Sequence, residues 1–86
     1  MPETIYSNLY DITELQQKII RYVDYWAHIE KTPIPHKNII AEMSTHKEKN
    51  GTIIHALQML VKLGYLRRAM VVSHATETFY VLLRRL

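Results

Sequence analysis

Between residues 12 and 31 apolar side chains recur at Leu15, Ile19, Val23 and Trp26, with Ile20, Tyr22 and Ala27 beside them. That spacing places one stripe on a helix rather than alternate faces of a strand. Two overlapping capping boxes, Asp11 with Glu14 and Thr13 with Gln16, supply oxygens for the first unpaired amides. The pattern predicts a first helix over 12–31, with the stripe around Trp26 in the core. It ends at Thr32-Pro33-Ile34-Pro35, because each proline disfavours helical geometry in the residue before it. An extended connector is expected there.

Pro35 suits the opening turn of a second, short helix that runs to about Met43 and turns Ile39, Ile40 and Met43 inward. The polar segment Ser44 to Lys49 reads as a turn. Thr52 to Leu63 then repeats apolar residues at Ile53, Ala56, Leu57, Leu60 and Leu63, a third helix that Gly64 stops. Thr45 with Glu48 offers one capping box for it. Asn50 is the preferred N-cap, since Gly51 deep inside a helix costs about 1 kcal/mol relative to alanine. Ile54 and Val61 lie off the main stripe, either at the edge of the core or in a contact patch.

After Gly64 the period changes to two. Tyr65 to Val72 and Glu77 to Leu83 are rich in β-formers, with the polar tip Ser73 to Thr76 between them, and read as an antiparallel hairpin. The fold class expected is therefore mainly α with a small β-hairpin, as one domain over 1–86. It divides into an N-terminal arm at 1–11, a three-helix core at 12–64 and a two-stranded hairpin at 65–86. Phe79 to Leu83 put apolar groups on both faces of a strand, and the arm carries Ile5, Tyr6, Leu9 and Tyr10 outside any helix. Either surface suits a homodimer contact.

Composition narrows the classes. A chain of 86 residues with 48% hydrophobic and 22% charged residues has room for one core, and 2 glycines with 3 prolines exclude a flexible linker. The absence of cysteine removes disulfides, thiol nucleophiles and thiolate metal sites, and suits a cytoplasmic protein. No secretory leader and no membrane span is expected. The net charge of +3 is unevenly spread: residues 1–43 hold four Lys/Arg against six Asp/Glu, residues 44–86 seven against two. A basic second half draws anionic partners, nucleic acid first among them, although an ordinary solvated basic face gives the same count.

The run Ile53-x-x-x-Leu57-x-x-Leu60-x-x-x-Gly64-Tyr65-Leu66 is similar to the recognition helix and first wing strand of bacterial winged helix-turn-helix regulators. Ile12-Thr-Glu-Leu-Gln-Gln-Lys-Ile-Ile20, followed by a proline-containing connector and Ile40-Ala-Glu-Met43, resembles the N-terminal domain of LexA-type repressors. The resemblance covers about residues 12–86. It implies three helices followed by a two-stranded wing and double-stranded DNA binding. With no protease domain in these residues, induction by self-cleavage does not follow.

The candidate DNA-binding residues are Lys37, Asn38, Lys47, Lys49, Asn50, Thr52, His55, Arg67, Arg68 and His74. The third helix must turn its stripe inward, which leaves Lys49, Asn50, Thr52 and His55 outward, and a helix of this diameter fits the major groove. Asn50 suits adenine, Thr52 and His55 a base or a phosphate, and Lys47 and Lys49 phosphate. Arg67, Arg68, Ser73 and His74 suit the flanking backbone or minor groove, and Lys37 and Asn38 an adjacent phosphate. His28, His36, His46, His55 and His74 show no metal-ligand spacing, and no nucleophile motif or phosphate loop occurs. Neither an enzyme nor a bound cofactor is expected. The function expected is sequence-specific double-stranded DNA binding by a small bacterial or phage transcriptional regulator. The alternatives are a winged-helix protein-interaction module and a replication or recombination accessory protein.

Overall fold

The computed structural model describes residues 12–72 and 76–84, and side chains of 71, 72 and 76 are not described. The expected N-terminal arm, Asp11, and the hairpin-tip residues Ser73 and His74 lie outside the described residues. The elements in chain order are α1 (Glu14–Glu30), β1 (Ile34–Pro35), α2 (His36–Ser44), α3 (Asn50–Lys62), β2 (Leu66–Val72) and β3 (Thr76–Leu82). Among the described residues they form three helices and a three-stranded antiparallel sheet of order β1-β3-β2.

The start of α1 follows from its sequence. Gln16 N donates to Thr13 Oγ1 and Thr13 N donates to Gln16 Oε1, both at 3.1 Å, which closes the Thr13 capping box. One of those bonds occupies the side-chain oxygen of Gln16, the one buried polar residue among those described. Lys31 ends α1 in the left-handed region at φ 57°.

Most boundaries fall within two residues of the sequence expectation, and three features depart from it in ways that matter. The connector after α1 is extended, as its prolines require, but Ile34 and Pro35 also pair with Tyr80 and Phe79 of β3. The two-stranded hairpin is thereby a three-stranded sheet. Pro35 stands at the N-cap of α2 rather than inside its first turn, so its missing N–H interrupts no helical bond. In α3 the N-cap is Lys49, extended at φ −82°, ψ 147°, and Asn50 is already helical. No side chain caps that helix, so the expected Asn50 cap is replaced by open amides.

The end of α3 needs Gly64. Tyr65 N donates to Leu60 O at 2.9 Å and Gly64 N to Val61 O at 3.1 Å, with Gly64 at φ +84°. This is the paired-bond helix stop that a left-handed residue makes possible. The chain then enters β2, whose seven residues pair with β3 from Leu66↔Leu82 to Val72↔Thr76. Arg84 closes the far end, its guanidinium 4.5 Å over the Tyr65 ring.

One core joins all elements: Ile19, Ile20 and Val23 of α1, Ile34 of β1, Ile39 and Met43 of α2, Ile53, Leu57 and Leu60 of α3, with Leu66 and Tyr80 of the sheet. Trp26 is half-buried and packs on its margin rather than within it. Val61 belongs to that margin too, whereas Ile54 is 40% exposed. The opposite face of the sheet is only partly covered: Ala69 and Phe79 lie half-buried beside Trp26, Pro33 and Pro35 around a shallow apolar hollow of about 320 Å³. Among the described residues no helix is long and apolar enough to cross a membrane.

Candidate nucleic-acid interface

Burial of Ile53, Ala56, Leu57 and Leu60 fixes how α3 is rotated about its axis. At 3.6 residues per turn the outward line then runs through Gly51, Ile54, His55, Gln58 and Lys62, with Asn50 and Thr52 flanking it at the first turn. All seven are exposed. The sequence reading named Asn50, Thr52 and His55 on this face. It missed Gln58 and Lys62, which continuation of the line from Gly51 and His55 by whole turns would have found.

The entrance to α3 carries net positive charge. Lys47 and Lys49 are exposed with the half-buried Glu48 between them, and the first turn carries no acidic residue and no side-chain cap. Free amides and the helix dipole add to the lysines there, an arrangement that favours anions. Lys47 holds a left-handed backbone at φ 66°, at the close of a turn in which its N–H donates to Ser44 O at 3.0 Å.

A second feature could not be read from any one element. Between α3 and the sheet lies an open groove of about 350 Å³, lined by His36 and Lys37 of α2, Ile54 and Gln58 of α3, Arg68 of β2, and Glu77, Thr78 and Tyr80 of β3. Lys37 Nζ is 3.7 Å from Glu77 Oε1, and His36 Nδ1 is 3.2 Å from Tyr80 Oη. Burial pushes the Tyr80 phenol above its ordinary value, while the nearby Arg68 charge pulls it back in part. Two strongly basic side chains and one carboxylate thus share the groove.

The remaining candidates separate. Consecutive strand residues point to opposite faces, so Arg68, opposite Tyr80, enters the groove and Arg67, opposite Val81, leaves on the other side of the sheet. Arg67 and Arg68, both expected to meet the flanking backbone or minor groove, therefore face opposite sides of the sheet. Lys37 and Asn38 separate likewise: Asn38 is half-buried in a different hollow with Tyr22, Ala41, Glu42 and Thr45. There burial, followed by the Glu42 carboxylate and Tyr25, raises the Tyr22 phenol, and it is the charge of Glu42 that opposes a phosphate. His46 lies 3.5 Å from Glu42. Among the described residues no group of three or more His, Asp or Glu side chains is placed to hold a metal ion.

Compared with known protein families, curated proteins and solved structures, the chain matches none of them.

Proposed function

We propose that this protein is a winged helix-turn-helix double-stranded DNA-binding protein, a small bacterial or phage transcriptional regulator that docks α3 in the major groove with the β2–β3 hairpin alongside. The observation that carries the reading is the outward face of α3. It is polar along its length apart from Ile54, opens on uncapped amides beside Lys47 and Lys49, and borders a groove holding Lys37 and Arg68. The element order, helix, short helix, turn, helix and hairpin, is the one on which the winged-helix resemblance rests, and β1 adds a strand to it.

Roles follow from position. Asn50, Thr52, His55 and Gln58 reach base edges, where Asn and Gln suit adenine, and Ile54 suits a thymine methyl group. Lys47, Lys49, Lys37 and Arg68 neutralise phosphates. Asn38 and Arg67 fall outside this footprint. The half-covered apolar face around Phe79 supports a homodimer, which would match a site of two-fold symmetry.

The test is fluorescence anisotropy with a random-sequence duplex, titrated from low to physiological salt. Affinity should fall linearly on a log–log plot, with a slope of about 0.9 per phosphate neutralised. Folded protein that binds no duplex at about 50 mM salt would overturn the reading. The protein-interaction alternative draws its support from Ile54, the exposed apolar residue in the middle of the α3 face. Val61, which would have widened that patch, packs on the core instead.

A further inference from the structure

β1 ends at Pro35 opposite Phe79, so toward the hairpin tip Thr78 and Glu77 of β3 continue without a β1 partner. Lys37, in the first turn of α2, lies beside that stretch and meets Glu77 across it at 3.7 Å. The pair opens into the groove whose other walls include Arg68 of β2 and Gln58 of α3. Within the groove the two cations suit an anion, and Glu77 is the one side chain that opposes it.

A duplex holding α3 in its major groove and the hairpin in the adjoining minor groove has one phosphodiester strand between those grooves. That strand must cross the gap between α3 and the hairpin, which is where this groove lies. A carboxylate and a phosphate are alternative acceptors for the same ammonium group. The Lys37 and Glu77 side chains are 79% and 45% exposed, and an ion pair so open to water contributes little net stability. Exchange of one acceptor for the other therefore costs the fold little.

We infer that Glu77 is an internal substitute for a DNA phosphate: in the free protein its carboxylate engages Lys37, and the phosphodiester strand crossing between α3 and the hairpin displaces it. The inference rests on the DNA-binding reading and adds to it a built-in restraint on affinity. Glu77 weakens binding in two ways, by competing for Lys37 and by repelling the incoming strand. Only the first depends on Lys37.

The experiment compares the full chain, Glu77→Gln, Lys37→Ala and the double variant on a random-sequence duplex at about 50 mM salt. Glu77→Gln should bind roughly two- to five-fold more tightly than the unaltered protein, and the same change in the Lys37→Ala background should gain markedly less. Equal gains in both backgrounds would overturn the inference, because Glu77 would then act by repulsion alone. So would a Glu77→Gln affinity that is unchanged or weaker. If the unaltered protein binds no duplex, the DNA-binding reading falls and the inference with it; if it binds and Glu77→Gln makes no difference, only the inference falls. Thermal unfolding of each variant verifies that these exposed substitutions leave the fold intact.

Discussion

His36 Nδ1 lies 3.2 Å from the phenol oxygen of Tyr80, joining the first residue of α2 to the middle of β3. Tyr80 is 4% exposed, so its ring is core and its hydroxyl is the polar end that reaches the groove. Tyr80→Phe keeps the ring and removes that bond. The expected loss is about 1 kcal/mol of unfolding free energy, measured by urea denaturation. A loss several times larger would mean that the hydroxyl organises more than this contact.

The same residue sets a pH dependence. Burial raises the Tyr80 phenol above its ordinary 10.0, more than Arg68 lowers it, and burial followed by Glu42 and Tyr25 raises Tyr22. Well below pH 10 both phenols are protonated in the folded and unfolded chains, and their contribution to stability is complete. Above it the unfolded chain loses its protons first, so stability falls as pH rises through the folded-state values. Ultraviolet titration of the phenolates should show a component above pH 10 that loses amplitude in Tyr80→Phe.

Ile53 and Ile54 are neighbours with opposite fates. Ile53 is fully buried and Ile54 is 40% exposed. Ile53→Ala should cost about 2–5 kcal/mol through lost transfer energy and a residual cavity, and Ile54→Ala less than about 1 kcal/mol. On the DNA-binding reading, Ile54→Ala should still weaken binding at sites with a thymine under α3. Chemical denaturation and anisotropy separate the two effects.

Lys47 brings stability and proposed function into conflict. Its φ of 66° is a conformation that glycine adopts without penalty and most side chains avoid. Lys47→Gly should raise the unfolding free energy by up to about 1 kcal/mol while weakening duplex binding through the lost charge. Lys31, left-handed at φ 57° at the end of α1, provides the comparison: Lys31→Gly should gain similar stability with no matching loss of DNA affinity. A melting curve and an anisotropy titration for each variant decide the matter.

Base reading and phosphate contact should separate by position on α3. Lys49→Ala should weaken binding to all duplexes alike and lower the salt slope by about 1, whereas Asn50→Ala or Gln58→Ala should change which sequences are selected. Selection from a random duplex pool, followed by salt titration on the selected and unselected sequences, tests both. Equal loss across sequences from all three substitutions would contradict the assigned roles.

What the sequence alone determined was whatever depends on near neighbours in the chain. The α1 stripe and its Thr13–Gln16 cap, the α3 stripe, and the stop at Gly64 are set within a few residues, where helical geometry and backbone sterics act. The change to a two-residue period after Gly64 likewise announced β2 and β3. Small boundary errors arose where local signals competed, as at Asn50, whose capping tendency gave way to a helix already begun.

Only the tertiary structure decided the pairing of Ile34 with Tyr80, because a two-residue strand has no period of its own and is defined by the partner it meets. The same pairing brings α2 beside β3. It thereby assembles His36, Lys37, Arg68, Glu77 and Tyr80 into one groove, though they come from distant parts of the chain. Strand alternation places Arg67, and the rotation of α2 places Asn38, outside that groove, although each neighbours in the chain a residue that lines it. Charge and propensity are properties of a residue, whereas membership of a site depends on which face the packed core leaves open.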